Sequence, residues 1–153
     1  MFMALCTPNT NKIPQKKNQG TITCLLDSKQ EVRVPIRFFE FSSEDQSTEV
    51  SGSFGDEQIR IIFPGNKVGE YVWDQSIRPF SNKDAMAYYI YKSSMYNNYH
   101  ADNGYTKITV SKYDGDQIEG SVNAIVGMSA GSLNPLELPS SHKIDCNFST
   151  NKE

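Results

Sequence analysis

The sequence predicts an all-β domain, an antiparallel β-sandwich or an open barrel of eight to nine strands. Three observations carry that expectation. Apolar and polar residues alternate with a period of two along most of the chain. The alternating runs are short, recur at roughly ten-residue spacing, and are separated by Gly, Pro, Asn, Asp and Ser. No apolar helical periodicity persists for about ten residues. The composition agrees: 11% of the 153 residues are aromatic, including eight Tyr and eight Phe, side chains that suit half-buried strands.

Taken in order, "TITCLLD" (21–27) and "EVRVPIRFF" (31–39) alternate on either side of "SKQ" and read as a hairpin. Pro35 cannot donate to a ladder, so it is expected at an edge or a bulge. After the loop "SSEDQS", the runs "TEVSGSF" (48–54) and "EQIRIIF" (57–63) form a second hairpin around Gly55 and Asp56. Ile59 and Ile61 share one face of that strand, and Ile62 falls on the other. "PGNKVG" is turn chemistry before the short strand "EYVWD" (70–74).

"QSIRPFSNKDA" is a connection in which Asp84 is a candidate helix cap. "MAYYIYKS" (86–93) is a further strand, and "SMYNNYHADNG" is a long polar loop. "YTKITVSKY" (105–113) sets Thr106, Ile108 and Val110 against Tyr105, Lys107 and Thr109. "QIEGSVNAIVG" (117–127) follows an Asp-Gly turn, where Gly115 is expected to supply a positive φ. Gly120 inside that strand signals a bulge or a close backbone contact. "MSAGSLNPLELPS" is a long loop, and "HKIDCNFST" (142–150) ends the series with Ile144, Cys146 and Phe148 on one face. Residues 1–19 read as a disordered tether and 20–153 as one domain.

Net charge is −3 and the sequence pI about 5.4, which argues against nucleic acid as a partner. The basic residues between Lys12 and Arg37 are dispersed rather than gathered into a phosphate-binding patch. No stretch approaches the roughly 18 apolar residues of a membrane-spanning helix. The chain opens "MFMALC", five apolar residues before Cys6, and then runs through Thr, Pro, Asn, Lys and Gln. Two readings stand. One is a cytoplasmic protein with an irregular N-terminus. The other is the end of a lipoprotein signal in which Cys6 carries the lipid, although Leu5 occupies a place where a small residue is expected. On the second reading the membrane is reached only through that anchor.

The second half resembles a family of uncharacterised secreted or lipid-anchored β-sandwich proteins of Bacteroidetes. The resemblance lies in Gly69-Glu70-Tyr71, in Tyr113-Asp114 before a turn, and in Ile118-Glu119-Gly120-Ser121-Val122, with Val122 where Phe is usual. The terminal Gly-x-Phe of such sequences is replaced by Asn147-Phe148. The likeness spans roughly residues 48–150 and implies export and a sandwich fold, with no catalytic residues.

Candidate sites are few. His100 and His142 lack the short spacings of metal ligands, and no metal or cofactor is expected. "GMSAG" (127–131) frames Ser129 with glycines, but Leu133, Asn134 and Pro135 follow it instead of the helix a nucleophile elbow requires. The cluster Asp114, Asp116 and Glu119 fits a solvent-facing turn better than a calcium loop or a carboxylate pair. Cys24 and Cys146, in the first and last strands, read as small buried hydrophobes, with a disulfide as the alternative.

Five tyrosines lie between Tyr88 and Tyr99. Alternation puts Tyr89 and Tyr91 on one face and Tyr88 on the other. Tyr88, Tyr91, Tyr96, Tyr99 and His100 are the candidate binding residues, since tyrosine offers flat apolar area with a polar tip. The functional expectation is a non-catalytic exported binding or structural module of the cell envelope, its partner a protein, peptide or glycan. The alternatives are a small hydrolase-type enzyme and a cytoplasmic interaction or immunity protein.

Overall fold

The computed structural model describes residues 20–128 and 141–150. Alternation becomes ten antiparallel strands: β1 (Gly20–Leu26), β2 (Gln30–Ser42), β3 (Ser47–Phe54), β4 (Glu57–Pro64), β5 (Gly69–Asp74), β6 (Met86–Tyr91), β7 (Ser94–Asn97), β8 (Tyr105–Asp114), β9 (Gln117–Met128) and β10 (His142–Thr150). A 3-10 turn, Asn98–His100, follows β7.

Of the two expected architectures, sandwich and open barrel, the structure follows the barrel and closes it. Eight strands pair in the ring β10-β1-β2-β3-β4-β6-β7-β9 and back to β10, while β8 and β5 extend outward from β9. Two long strands account for the closure. β2 pairs with β1 as far as Pro35 and with β3 from Ile36 onward, and its register shifts between Ile36 and Phe38. Such a bulge bends a strand around a corner, and Pro35 stands beside it. β9 pairs with β8 and β10 along most of its length, then passes them to meet β7 at Gly127 and Met128. At Gly127 a Cβ would lie 2.6 Å from Ala101 Cα, so only glycine lets the Asn98–His100 turn pack there.

The tenth strand is β7, inside the segment whose composition reads as a loop. Tyr89↔Tyr96 and Tyr88↔Asn97 are its register with β6. Buried Asn98 holds the corner, accepting from Ala87 N at 3.3 Å and donating to Ala85 O at 2.9 Å. Asp84 caps a tight turn rather than a helix: its carboxylate accepts from Ser81 N and from the Arg78 guanidinium. The Asp114–Gln117 turn differs from expectation in mechanism. Gly115 takes no positive φ; instead Asp114 Oδ1 accepts from the amides of Asp116 and Gln117, at 3.1 and 3.0 Å.

The inward rows of the ring strands, with that of β8 beside them, form one core. Ile22, Val32, Val34, Val50, Ile61, Phe63, Ile108, Ile118, Val122 and Phe148 are all at most 1–2% exposed. Opposite the register shift between Val110 and Lys112, Gly120 packs face to face with Phe148, its pairing partner on β10. Cys24 and Cys146, direct partners across β1 and β10, are joined by a disulfide rather than packed as free thiols. Antiparallel register brings their Cα atoms to 4.0 Å, which sequence spacing alone does not show.

Candidate functional site

A strand with period two presents its last inward residue at the end of the barrel. At the end where β1 turns into β2 and β3 into β4, those residues are Leu26, Gln30, Glu57, Tyr91, Val126 and His142. Mid-barrel, the same rows hold Ile, Val and Phe. Here Gln30, Glu57, Tyr91 and His142 stand beside Leu26 and Val126, and they do not close the end. A cavity of about 430 Å³ remains, a size that suits a small organic molecule in a barrel mouth.

Its floor is apolar, formed by Leu26, Val126 and Ile144. Its wall is aromatic. Tyr89 and Tyr96 stack at 6.0 Å with an interplanar angle of 29°, and Tyr91, 40% exposed, stands at the rim. Burial pushes the phenols of Tyr89 and Tyr96 above the usual tyrosine value, and the Glu57 charge adds to this at Tyr89. Both therefore stay protonated at neutral pH as hydrogen-bond donors. Glu57, the pairing partner of Tyr91, makes only a long 3.5 Å contact with the Tyr89 hydroxyl and forms no ion pair among the described residues.

The other wall is built around Asp27. Lys29 N donates to Leu26 O at 2.9 Å, and both Asp27 and Ser28 take positive φ, 51° and 58°. Two successive left-handed residues close this turn, and Asp tolerates that region better than most side chains. Asp27 is pinned against β10 three times. Its amide donates to Lys143 O at 2.8 Å, Oδ1 accepts from Lys143 N at 2.9 Å, and Oδ2 lies 2.5 Å from His142 Nδ1. Burial would raise the Asp27 carboxyl, but the His142 and Lys143 hydrogen bonds and the neighbouring charges hold it below the ordinary aspartate value. An ionised carboxylate only accepts, so Nδ1 carries the proton of that bond. His142 meets the Tyr96 ring edge-on at 5.3 Å, and its Nε2 is buried without a hydrogen-bond partner among the described residues.

The five expected binding residues separate into two groups. Tyr91 and Tyr96 line the cavity; Tyr88, Tyr99 and His100 do not. Tyr96 is buried, 5% exposed, rather than part of an exposed platform. Tyr88 and Tyr99 share a 3.2 Å hydroxyl contact outside the barrel, with the Arg60 guanidinium 5.2 Å over the Tyr88 ring and Phe80 stacked on Tyr99. His100 is held by Asn97, whose Oδ1 lies 2.9 Å from its amide and 2.8 Å from Nδ1. Asp27, Lys29, Gln30, Glu57, Tyr89 and His142 are the polar and aromatic cavity residues that the sequence did not single out for binding. Their signal is positional, because each stands at or beside the end of an inward row. Cys6 and Ser129 lie outside the described residues. Among the described residues no three His, Cys, Asp or Glu side chains converge as metal ligands, and no helix is long and apolar enough to cross a membrane. Searches of family models, curated proteins and solved structures found no match to the chain.

Proposed function

We propose that the protein is a non-catalytic binding module of the cell envelope whose site is the open mouth of the barrel. The observation that carries this reading is the 430 Å³ cavity, with an apolar floor and a wall of Tyr89, Tyr91 and Tyr96. Rigid aromatic surfaces at a concave, partly polar opening favour recognition of a small molecule or a short chain end. Export is supported by the Cys24–Cys146 disulfide, since such bonds persist in oxidising compartments. Anchoring through Cys6 and kinship with the Bacteroidetes envelope proteins rest on the sequence motifs.

A fragment screen read by amide chemical shifts tests the site. Binders should move the amides of Leu26, Tyr91, Val126 and Ile144. Replacing rim Tyr91 with Ala should weaken them without unfolding the barrel. Shifts confined to the Phe80, Tyr88 and Tyr99 cluster would place the site elsewhere.

A second reading, an acid–base enzyme, has one observation in its favour: the Asp27–His142 pair in the cavity wall. Turnover of activated esters that disappears in His142→Gln would favour it over the binding module.

A further inference from the structure

The cavity wall carries a charge pattern that narrows the ligand. Among the lining residues two are carboxylates, Asp27 and Glu57, and one is an ammonium, Lys29; with the His142 imidazole neutral, the lining is acidic by one charge, and Lys92 stands outside it over the Tyr91 ring. Asp27 is already committed to His142 and Lys143. Glu57 is not committed. It is half-buried, faces inward on the same row as Ile59 and Ile61, and has only the long Tyr89 contact. A half-buried carboxylate without a counter-ion is placed to accept a charge-assisted hydrogen bond from a cationic partner. Around it stand Tyr89 and Tyr91, the latter its cross-strand neighbour. Aromatic faces attract cations through the ring quadrupole, and the Tyr91 ring already draws the Lys92 ammonium to 5.4 Å at the rim.

Resting on the binding reading above, we infer that the barrel mouth takes a small organic ammonium ion, an amine with an apolar or aromatic body. Glu57 is its counter-ion, and Tyr89 and Tyr91 are its aromatic wall. The apolar body lies over Val126 and Ile144, and the charged end points to the mouth side, where Glu57 stands at the start of β4. Anions are disfavoured by the same charge balance.

A matched series tests this: tyramine, tyrosol and 4-hydroxyphenylacetate share one ring and differ at the end group, which is cationic, neutral or anionic. Isothermal titration against the full chain should show tyramine binding about tenfold or more tighter than tyrosol, with the acid weakest. Glu57→Gln should remove most of that preference, and an unchanged amide spectrum away from β4 and β6 shows that the variant barrel is intact. Tyrosol or the acid binding as tightly as tyramine would overturn the charge assignment and leave the binding site standing. An unchanged tyramine preference in Glu57→Gln would overturn the role of Glu57. No binding by any of the three, together with no shifts at Leu26, Tyr91, Val126 and Ile144, would overturn both this inference and the reading beneath it.

Discussion

His142 Nδ1 lies 2.5 Å from Asp27 Oδ2, across 115 residues of sequence. The bond ties the β1–β2 turn to the first residue of β10, and so fixes one wall of the cavity. Because the folded Asp27 carboxyl is held below its ordinary value of 3.8, the ionised form is favoured by folding. That contribution is fully present above the unfolded aspartate value and is lost as pH falls through the lower, folded value. Asp27→Asn should therefore lower the melting temperature modestly at pH 7 and show a shallower loss of stability on acidification below about pH 4 than the wild type. Asp27 is 41% exposed at its side chain, so the effect should shrink in high salt. Thermal melts between pH 2 and 7 measure both.

Neither Cys24 nor Cys146 should react with a thiol reagent before reduction, and mass spectrometry of the alkylated chain reads this directly. The Cys24–Cys146 link joins residues 122 positions apart. Closing so long a loop restricts the unfolded chain strongly, and removing such a bond costs about 2–5 kcal/mol. Urea midpoints with and without reductant should differ accordingly, and the paired Cys24→Ala, Cys146→Ala variant should match the reduced protein.

Gly120→Ala should destabilise the barrel by about 1–3 kcal/mol. Its Cβ would stand 2.4 Å from Thr109 O and 2.5 Å from Phe148 Cζ. One obstacle is backbone and the other a ring in the core, so no side-chain rotation relieves both. A reduced urea midpoint with an unchanged slope would measure this.

At the Asp114–Gln117 turn, Asn and Ala should part company. Asn keeps an oxygen for the amides of Asp116 and Gln117, so Asp114→Asn should be near neutral and Asp114→Ala should cost about 1 kcal/mol. Amine or fragment binding should be untouched by either, since Asp114 pairs with Gln117, at the end of β9 away from Val126. Equilibrium unfolding and titration of the same samples separate the two effects.

The inward rows were legible because period two is a local property. Ile59 with Ile61, Ile108 with Val110, and Ile144 with Cys146 and Phe148 all fall where alternation puts them. Gly120 likewise marked a close approach before its neighbour was known. Closure was not legible, because it turns on β7, four residues whose pattern is too short to distinguish from a polar loop. Without β7, Tyr96 cannot be set opposite Tyr89, and the tyrosines cannot be sorted into cavity and outer cluster. The parity of Tyr89 and Tyr91 was visible; that their row ends at an open mouth beside Glu57 and His142 depends on which strands are neighbours. The Cys24–Cys146 bond stood only as the alternative to free thiols for the same reason, since it follows from the β1–β10 register.

That register has a mechanical consequence. Gly20 sits opposite Thr150, so tension applied through the two ends of the folded unit would pull β1 and β10 apart like a zipper, one rung at a time. The zipper is short. Four rungs in, at Cys24 and Cys146, the force meets a covalent bond, and the Asp27–His142 wall of the cavity lies beyond it, out of reach of the load.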